Sequence, residues 1–305
     1  MSLTTRRRFL AAGAIAPAFP AITQGADEPN WIDAHVHVWT PDRERYPLSG
    51  NFSPDSMRPP SFTPKELAAV QEGTGVARTV LIQMSFYEFD NRYMIDTIAA
   101  EPDRFRGVAI VDHAKDDVAT TMKALAGKGV TGFRLYAFVK NTRSWASDEG
   151  IRTMWRTGAE EGLAMCCLTD PDALPDLRSL CEAHPETPVV IDHFARIGTT
   201  GTIEREPLDQ LLALAVFPRV HVKVSAFYAL GKKAPPYTDL GGMIREVRDA
   251  FGSERLMWGS DCPYQVQGDH SYEASVALIR DRLDFLSETD RANLMRDTAE
   301  RVFFR

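Results

Sequence analysis

WIDAHVHV, residues 31–38, is the stretch that decides the fold. It is a β-type run, apolar except for one aspartate and two histidines a single residue apart. Side chains alternate faces along a strand, with same-face neighbours roughly 6 to 7 Å apart. Alternation predicts Ile32, Ala34, Val36 and Val38 on one face, packed against helices. It puts Asp33, His35, His37 and Trp39 on the other, facing inward. Two imidazoles at that spacing can converge on one ligand or ion. A lone histidine in a strand is ordinarily a satisfied core residue, so the pair matters only if other polar groups arrive at the same height.

Seven further runs bring them. RTVLIQM (78–84), GVAIVD (107–112), TGFRLY (131–136), LAMCCLT (163–169), PVVIDHF (188–194), VHVKVSA (220–226) and RLMWGSD (255–261) all read as strands. Amphipathic helical segments separate most of them, among them TPKELAAVQEGTG and EGIRTMWRTGAEEG. Eight strands alternating with helices predict an α/β chain folded as a single (β/α)8 barrel. An open doubly wound sheet would want a Gly-rich phosphate turn after the first strand, and there is none.

In such a barrel the chemistry collects at the C-terminal strand ends. His193 ends the sixth run on a face shared with Val189 and Ile191. Arg134 shares a face of the fourth with Gly132 and Tyr136. Asp261 closes the eighth, in GSDCP. Gln83 and Tyr228, at or just beyond the second and seventh strands, are further candidate contacts for a substrate. His221 shares a face with Lys223 and Ser225 but lies deeper, which predicts a structural role. Residues 40–63, rich in Pro and Ser and without periodicity, follow the first strand. They are expected to form a rim loop, a lid over the pocket.

Of the 305 residues, 44% are hydrophobic and 25% charged, an ordinary globular composition, and the formal net charge is −7. No Lys/Arg-rich run follows residue 10, which argues against nucleic acid as a partner. Residues 1–26 have a basic start, a short Ala-rich apolar run and then small residues. Thr5 to Leu10, TRRRFL, fit the twin-arginine export pattern. The expectation is a signal peptide over 1–26 and a barrel over 27–305. The export machinery is then a partner, the location is periplasmic or otherwise exported, and no stable membrane partner follows cleavage. Cys166, Cys167, Cys181 and Cys262 show no framework spacing, so no disulfide is expected.

The order and spacing of IDAHVHVW, VVIDHFARI, RLMWGSDCPY and the final DTAERVFF resemble the amidohydrolase superfamily. More narrowly, they resemble its amidohydrolase-related branch of small lactonases and decarboxylases, in particular the fuconolactone and pyrone-dicarboxylate lactone hydrolases. Metal-dependent members of the superfamily use the first-strand HxH, a histidine from strand five, often one from strand six, and the strand-eight aspartate. Here strand five has no histidine, and strand four offers Arg134 where a bridging group would stand. The resemblance therefore implies no metal or one divalent ion (Zn or Mn). Its ligands would be His35, His37 and Asp261, with Cys166 or Cys167 as a thiolate alternative. The activity implied is hydrolysis of a small-molecule lactone. Asp261 would take a proton from the attacking water, and His35, His37 and His193 would donate to the oxyanion. Arg134 would hold a substrate carboxylate or hydroxyl. Two other readings stay open: a metal-dependent decarboxylase of the same superfamily, and a non-catalytic exported protein that binds a small acid.

Overall fold

The computed structural model describes residues 30–305; the expected signal peptide lies outside them. Eight strands run in sequence order through one parallel sheet. They are β1 (Trp31–Val36), β2 (Val76–Ile82), β3 (Phe105–Ala109), β4 (Val130–Ala137), β5 (Ala164–Thr169), β6 (Val189–Ile191), β7 (Val220–Ser225) and β8 (Leu256–Gly259). Just beyond β8 the chain bonds back to the first strand. The Asp261 N–H donates to His35 O at 2.8 Å and the His37 N–H to Cys262 O at 2.8 Å. This seam makes the (β/α)8 barrel, and it fixes His35, His37 and Asp261 side by side through their own backbones.

The principal helices around the sheet are α1 (Pro64–Gln71), α2 (Arg92–Ala100), α3 (Val118–Ala126), α4 (Glu149–Glu161), α5 (Leu174–Ala183), α6 (Arg205–Leu212), α7 (Gly241–Phe251), α8 (Tyr272–Ala277) and α9 (Thr298–Phe303). Their ends follow local chemistry. Thr63 and Glu66 form a reciprocal capping box at the start of α1. Asp148 accepts from the Ile151 N–H at the start of α4, which stops at left-handed Gly162, φ 69°. Among the described residues no helix is long and apolar enough to cross a membrane.

Two apolar cores result. The outer one joins strand faces to helices through residues such as Val36, Leu81, Phe133, Met165, Ile191, Val222 and Trp258. The inner one fills the lumen with Ile32, Ala34, Val80, Ile82, Val108, Ala164, Cys166, Val190 and Met257, and α9 adds Ala299, Val302 and Phe303.

This partition corrects two alternation readings. In β1, Ile32 and Ala34 face the lumen rather than the helices. The Asp33 carboxylate turns the other way and accepts from Ser260 N, His35 N and the Tyr272 hydroxyl on α8. An irregularity in the β1–β2 pairing between Asp33 and Val36 resets the alternation. His35 and His37 thereby reach the barrel mouth by a route simple parity does not give. In β6, Val190 faces the lumen while Val189 and Ile191 pack outward. The strand ends at Ile191, and His193, Phe194, Ala195 and Arg196 all take left-handed conformations, φ 52–60°. That turn, not alternation, carries His193 to the site. Runs of non-glycine residues in this region are costly and cluster at functional sites.

Residues 40–63 form a rim loop fastened to its surroundings. Trp39 pairs with Phe62, the Trp39 indole donates to Pro59 O at 2.9 Å, and the Tyr46 hydroxyl donates to Asp96 on α2 at 2.6 Å. None of these residues lines the cavity over the histidines.

Candidate active site

A cavity of about 370 Å³ opens at the C-terminal ends of the strands. Its wall includes His37, Arg134, His193, Tyr228, Asp261 and Tyr264. This volume suits a small ligand. His35 is fully buried and lies beneath that wall. Gln83 also lines the cavity, but its amide nitrogen donates to Asp90 O at 2.7 Å and so ties down the β2 loop.

Asp261 is the hub. Its Oδ1 lies 3.2 Å from His37 Nε2 and 3.4 Å from His35 Nε2. Its Oδ2 accepts from the Tyr228 hydroxyl at 2.7 Å and lies 3.8 Å from His193 Nε2. Burial alone would raise this carboxyl, but the surrounding imidazoles, His193 foremost, hold it below the usual carboxylate range. Asp261 is therefore ionised at neutral pH. His37 Nδ1 donates to Ile82 O at 2.9 Å, which orients its Nε2 toward Asp261. His193 Nδ1 pairs with the Ser225 hydroxyl at 2.8 Å. With Ser225 as donor, the His193 proton sits on Nε2, facing Asp261 and the cavity.

A second polar layer lies below, and its centre escaped the sequence reading. Lys223, on the lumen face of β7, is fully buried. Its ammonium lies 3.0 Å from Asp192 Oδ1 and 3.2 Å from His35 Nδ1. Arg134 donates to Asp192 Oδ2 at 3.3 Å and stands 3.3 Å from His35 Nε2. Burial would raise the Asp192 carboxyl, but Lys223, then His35 and Arg134, hold it well below the usual range. The signal for Lys223 was present: one cation in the middle of an apolar strand demands a buried counter-ion. Asp192 is that counter-ion.

Burial depresses the His35 imidazole well below its ordinary value, Lys223 and His193 adding to it. His193 is lowered chiefly by burial. Burial also pushes His221 down to about 4. A histidine with a depressed folded-state value contributes stability that is fully present above its unfolded value near 6.5. That stability is lost as pH falls toward the folded value. Asp33, pushed up to about 6 by burial, acts in the opposite sense as pH falls through 6. Three rings outweigh one carboxyl, so the thermal midpoint is expected to fall on acidification from pH 7 to 5. Calorimetry showing a rise over that window would contradict this assignment.

Could the site hold a divalent ion? His35, His193 and Asp261 each offer a ligand atom within 4.8 Å of the others. The triad expected from sequence is tighter. His35 Nε2 and His37 Nε2 are 3.3 Å apart, and each is 3.2–3.4 Å from Asp261 Oδ1. Tetrahedral bonds of about 2.0–2.1 Å give ligand–ligand edges of about 3.3–3.4 Å. The spacing fits an ion; the charges do not. Lys223 and Arg134 already balance Asp192 and Asp261, and the two cations flank the two nitrogens of His35. A divalent ion would add two uncompensated positive charges to a buried cluster. The cysteines offer no alternative ligand. All four are free and buried, burial pushes the Cys166 thiol up to about 12, and Cys167 packs in the outer core.

Comparison with known proteins finds curated relatives named as lactone hydrolases. The L-fucono-1,5-lactonase of Burkholderia ambifaria is 27% identical over 269 residues, which cover 86% of this chain and 91% of that protein. The 4-sulfomuconolactone hydrolase of Rhizobium radiobacter is 29% identical over 256 residues, 82% of this chain and 79% of that one. Among solved structures, a probable 2-pyrone-4,6-dicarboxylic acid hydrolase from Acinetobacter baumannii, with citric acid bound, superposes with a TM-score of 0.75 at 22% identity. It is covered in full by 90% of this chain. An amidohydrolase from Burkholderia multivorans with bound zinc gives 0.74 at 20% identity, over 90% of this chain and 99% of that one. These two likenesses show the fold alone. The family model described as Amidohydrolase matches residues 32–305, so barrel, seam and polar mouth are those of a member of the amidohydrolase family, and the chain is a hydrolase of that family.

Proposed function

We propose that the protein hydrolyses a small lactone bearing a carboxylate or several hydroxyls, of the sugar-acid or pyrone-carboxylate type, and does so without a resident metal. The observation that carries the reading is Asp261: a buried carboxyl on the cavity wall, with one oxygen held by Tyr228 and the other facing His37. The lactonase names of the two curated relatives support the substrate class.

Tyr228 fixes Oδ2, and Oδ1, held beside His35 and His37, takes a proton from a water that attacks the lactone carbonyl carbon. His193, on the wall, donates to the oxyanion as it forms, and His37 joins it when its Nε2 also carries a proton. Collapse of the tetrahedral adduct breaks the ring C–O bond. The proton held by Asp261 then passes to the departing ring oxygen, giving a hydroxy acid. Arg134 faces the substrate and pairs with a carboxylate through its planar fork.

Enzyme dialysed against EDTA is expected to open such a lactone at the rate of untreated enzyme, within a factor of two. A loss of turnover that zinc or manganese restores would refute the metal-free assignment.

We also propose that residues 1–26 direct export by the twin-arginine route, on the strength of Thr5 to Leu10. Mass spectrometry of the periplasmic form should find the N-terminal segment removed. A full-length chain confined to the cytoplasm would overturn this.

A further inference from the structure

The mechanism above leaves the most deeply buried cation of the barrel without a task. Lys223 sits on the lumen floor with no exposed surface, and holding an ammonium there is costly unless its contacts matter. Its partners are the Asp192 carboxylate at 3.0 Å and His35 Nδ1 at 3.2 Å.

The two ring nitrogens of His35 face different company. Near Nδ1 stand Lys223 Nζ, which can only donate, and Asp192 Oδ1 at 3.5 Å, which can only accept. Lys223 Nζ is the nearer of the two, 3.2 Å against 3.5 Å, and Asp192 Oδ1 is itself paired with the Lys223 ammonium at 3.0 Å. Near Nε2 stand Asp261 Oδ1 at 3.4 Å and His37 Nε2 at 3.3 Å. Arg134 NH1, at 3.3 Å from Nε2, has Asp192 Oδ2 as an alternative acceptor at the same distance.

We propose that Lys223 is a positioning residue that fixes the tautomer of His35: by donating to Nδ1 it keeps the ring proton on Nε2, aimed at the base Asp261, and so removes the lone pair that a metal ion at this site would need. The chain runs Lys223 Nζ–H to His35 Nδ1, then His35 Nε2–H to Asp261 Oδ1. It aligns the carboxylate from below while Tyr228 aligns it from the side. It also explains how three atoms at metal-ligand spacing belong to a site whose charges oppose an ion: one of the three is capped by a proton. With Lys223 removed, Asp192 becomes the one partner left at Nδ1. The proton then moves to that nitrogen, and Nε2 is freed beside His37 and Asp261.

Only the kinetic consequence rests on the lactone-hydrolase reading; tautomer and metal affinity can be read without substrate. Long-range proton–nitrogen NMR of enzyme labelled with 15N-histidine, assigned against His35→Gln, should show His35 as the Nε2–H tautomer. In Lys223→Met the ring should switch to Nδ1–H, and Zn²⁺ titrated alone should bind at least tenfold tighter than to wild type. On any lactone the enzyme opens, kcat should fall at least tenfold with KM within threefold. A wild-type ring protonated on Nδ1 overturns the proposal outright, and that measurement stands even if Lys223→Met fails to fold. Tighter zinc binding with the tautomer unchanged also overturns it, since Lys223 would then act through its charge alone.

Discussion

Asp261→Asn is expected to lower kcat by about a thousandfold, the middle of the range for removing a general base, with KM changed little. The substitution leaves the backbone conformation in place. Asp261 occupies a left-handed conformation, φ 64°, and asparagine is one of the few residues that tolerates that region. An amide oxygen can still accept from the Tyr228 hydroxyl, and the backbone bond from residue 261 to His35 O is untouched. What is lost is the negative oxygen that receives a proton. The variant should therefore elute like wild type, with a lower thermal midpoint from the buried positive charge it leaves uncompensated, while failing to turn over. Activity within tenfold of wild type would remove Asp261 from the role of base.

Arg134→Gln should separate substrates by charge. The guanidinium stands between the Asp192 carboxylate and the cavity. Charge-assisted hydrogen bonds of about 1.5–3 kcal/mol correspond to a rise in KM of about 10- to 100-fold for a lactone that carries a carboxylate. A neutral sugar lactone should lose far less. Asp192 keeps Lys223 as its partner, which spares the fold the full cost of stranding a buried charge, about 3–5 kcal/mol. A moderate fall in thermal midpoint is expected alongside the kinetic change. Equal losses on charged and neutral lactones would show that Arg134 serves the fold and not the substrate.

The barrel and four of its site residues were legible because short-range rules carried them. Strand–helix alternation counts to eight, and HxH, DH and GSD mark His35, His37, His193 and Asp261 as strand-end groups. Arg134 follows from parity in β4, where the pairing is regular. Parity fails where the backbone leaves the regular strand. The irregularity in β1 reverses the faces of Ile32 and Asp33, and the left-handed turn after Ile191 contains no glycine to announce it. That turn also hides Asp192, whose neighbour His193 is legible from the DH pair. Parity puts Lys223 on the right face but gives it no role, since its partners are His35, 188 residues away, and Asp192, in the turn after β6. Arg196 and Tyr264, also on the cavity wall, lie in loops, where no periodicity points to the site.

The measurement that bears most directly on the central claim is acid release, followed with a pH indicator, from a panel of sugar lactones and pyrone carboxylates. Metal-stripped wild type and Asp261→Asn are run side by side, with evolved carbon dioxide measured in parallel on aromatic acids. Stripped wild type should release acid stoichiometrically from at least one lactone, the variant about a thousandfold more slowly, and neither should release carbon dioxide. Carbon dioxide release that depends on added zinc, with every lactone left intact, would contradict it and identify a decarboxylase built on the same barrel.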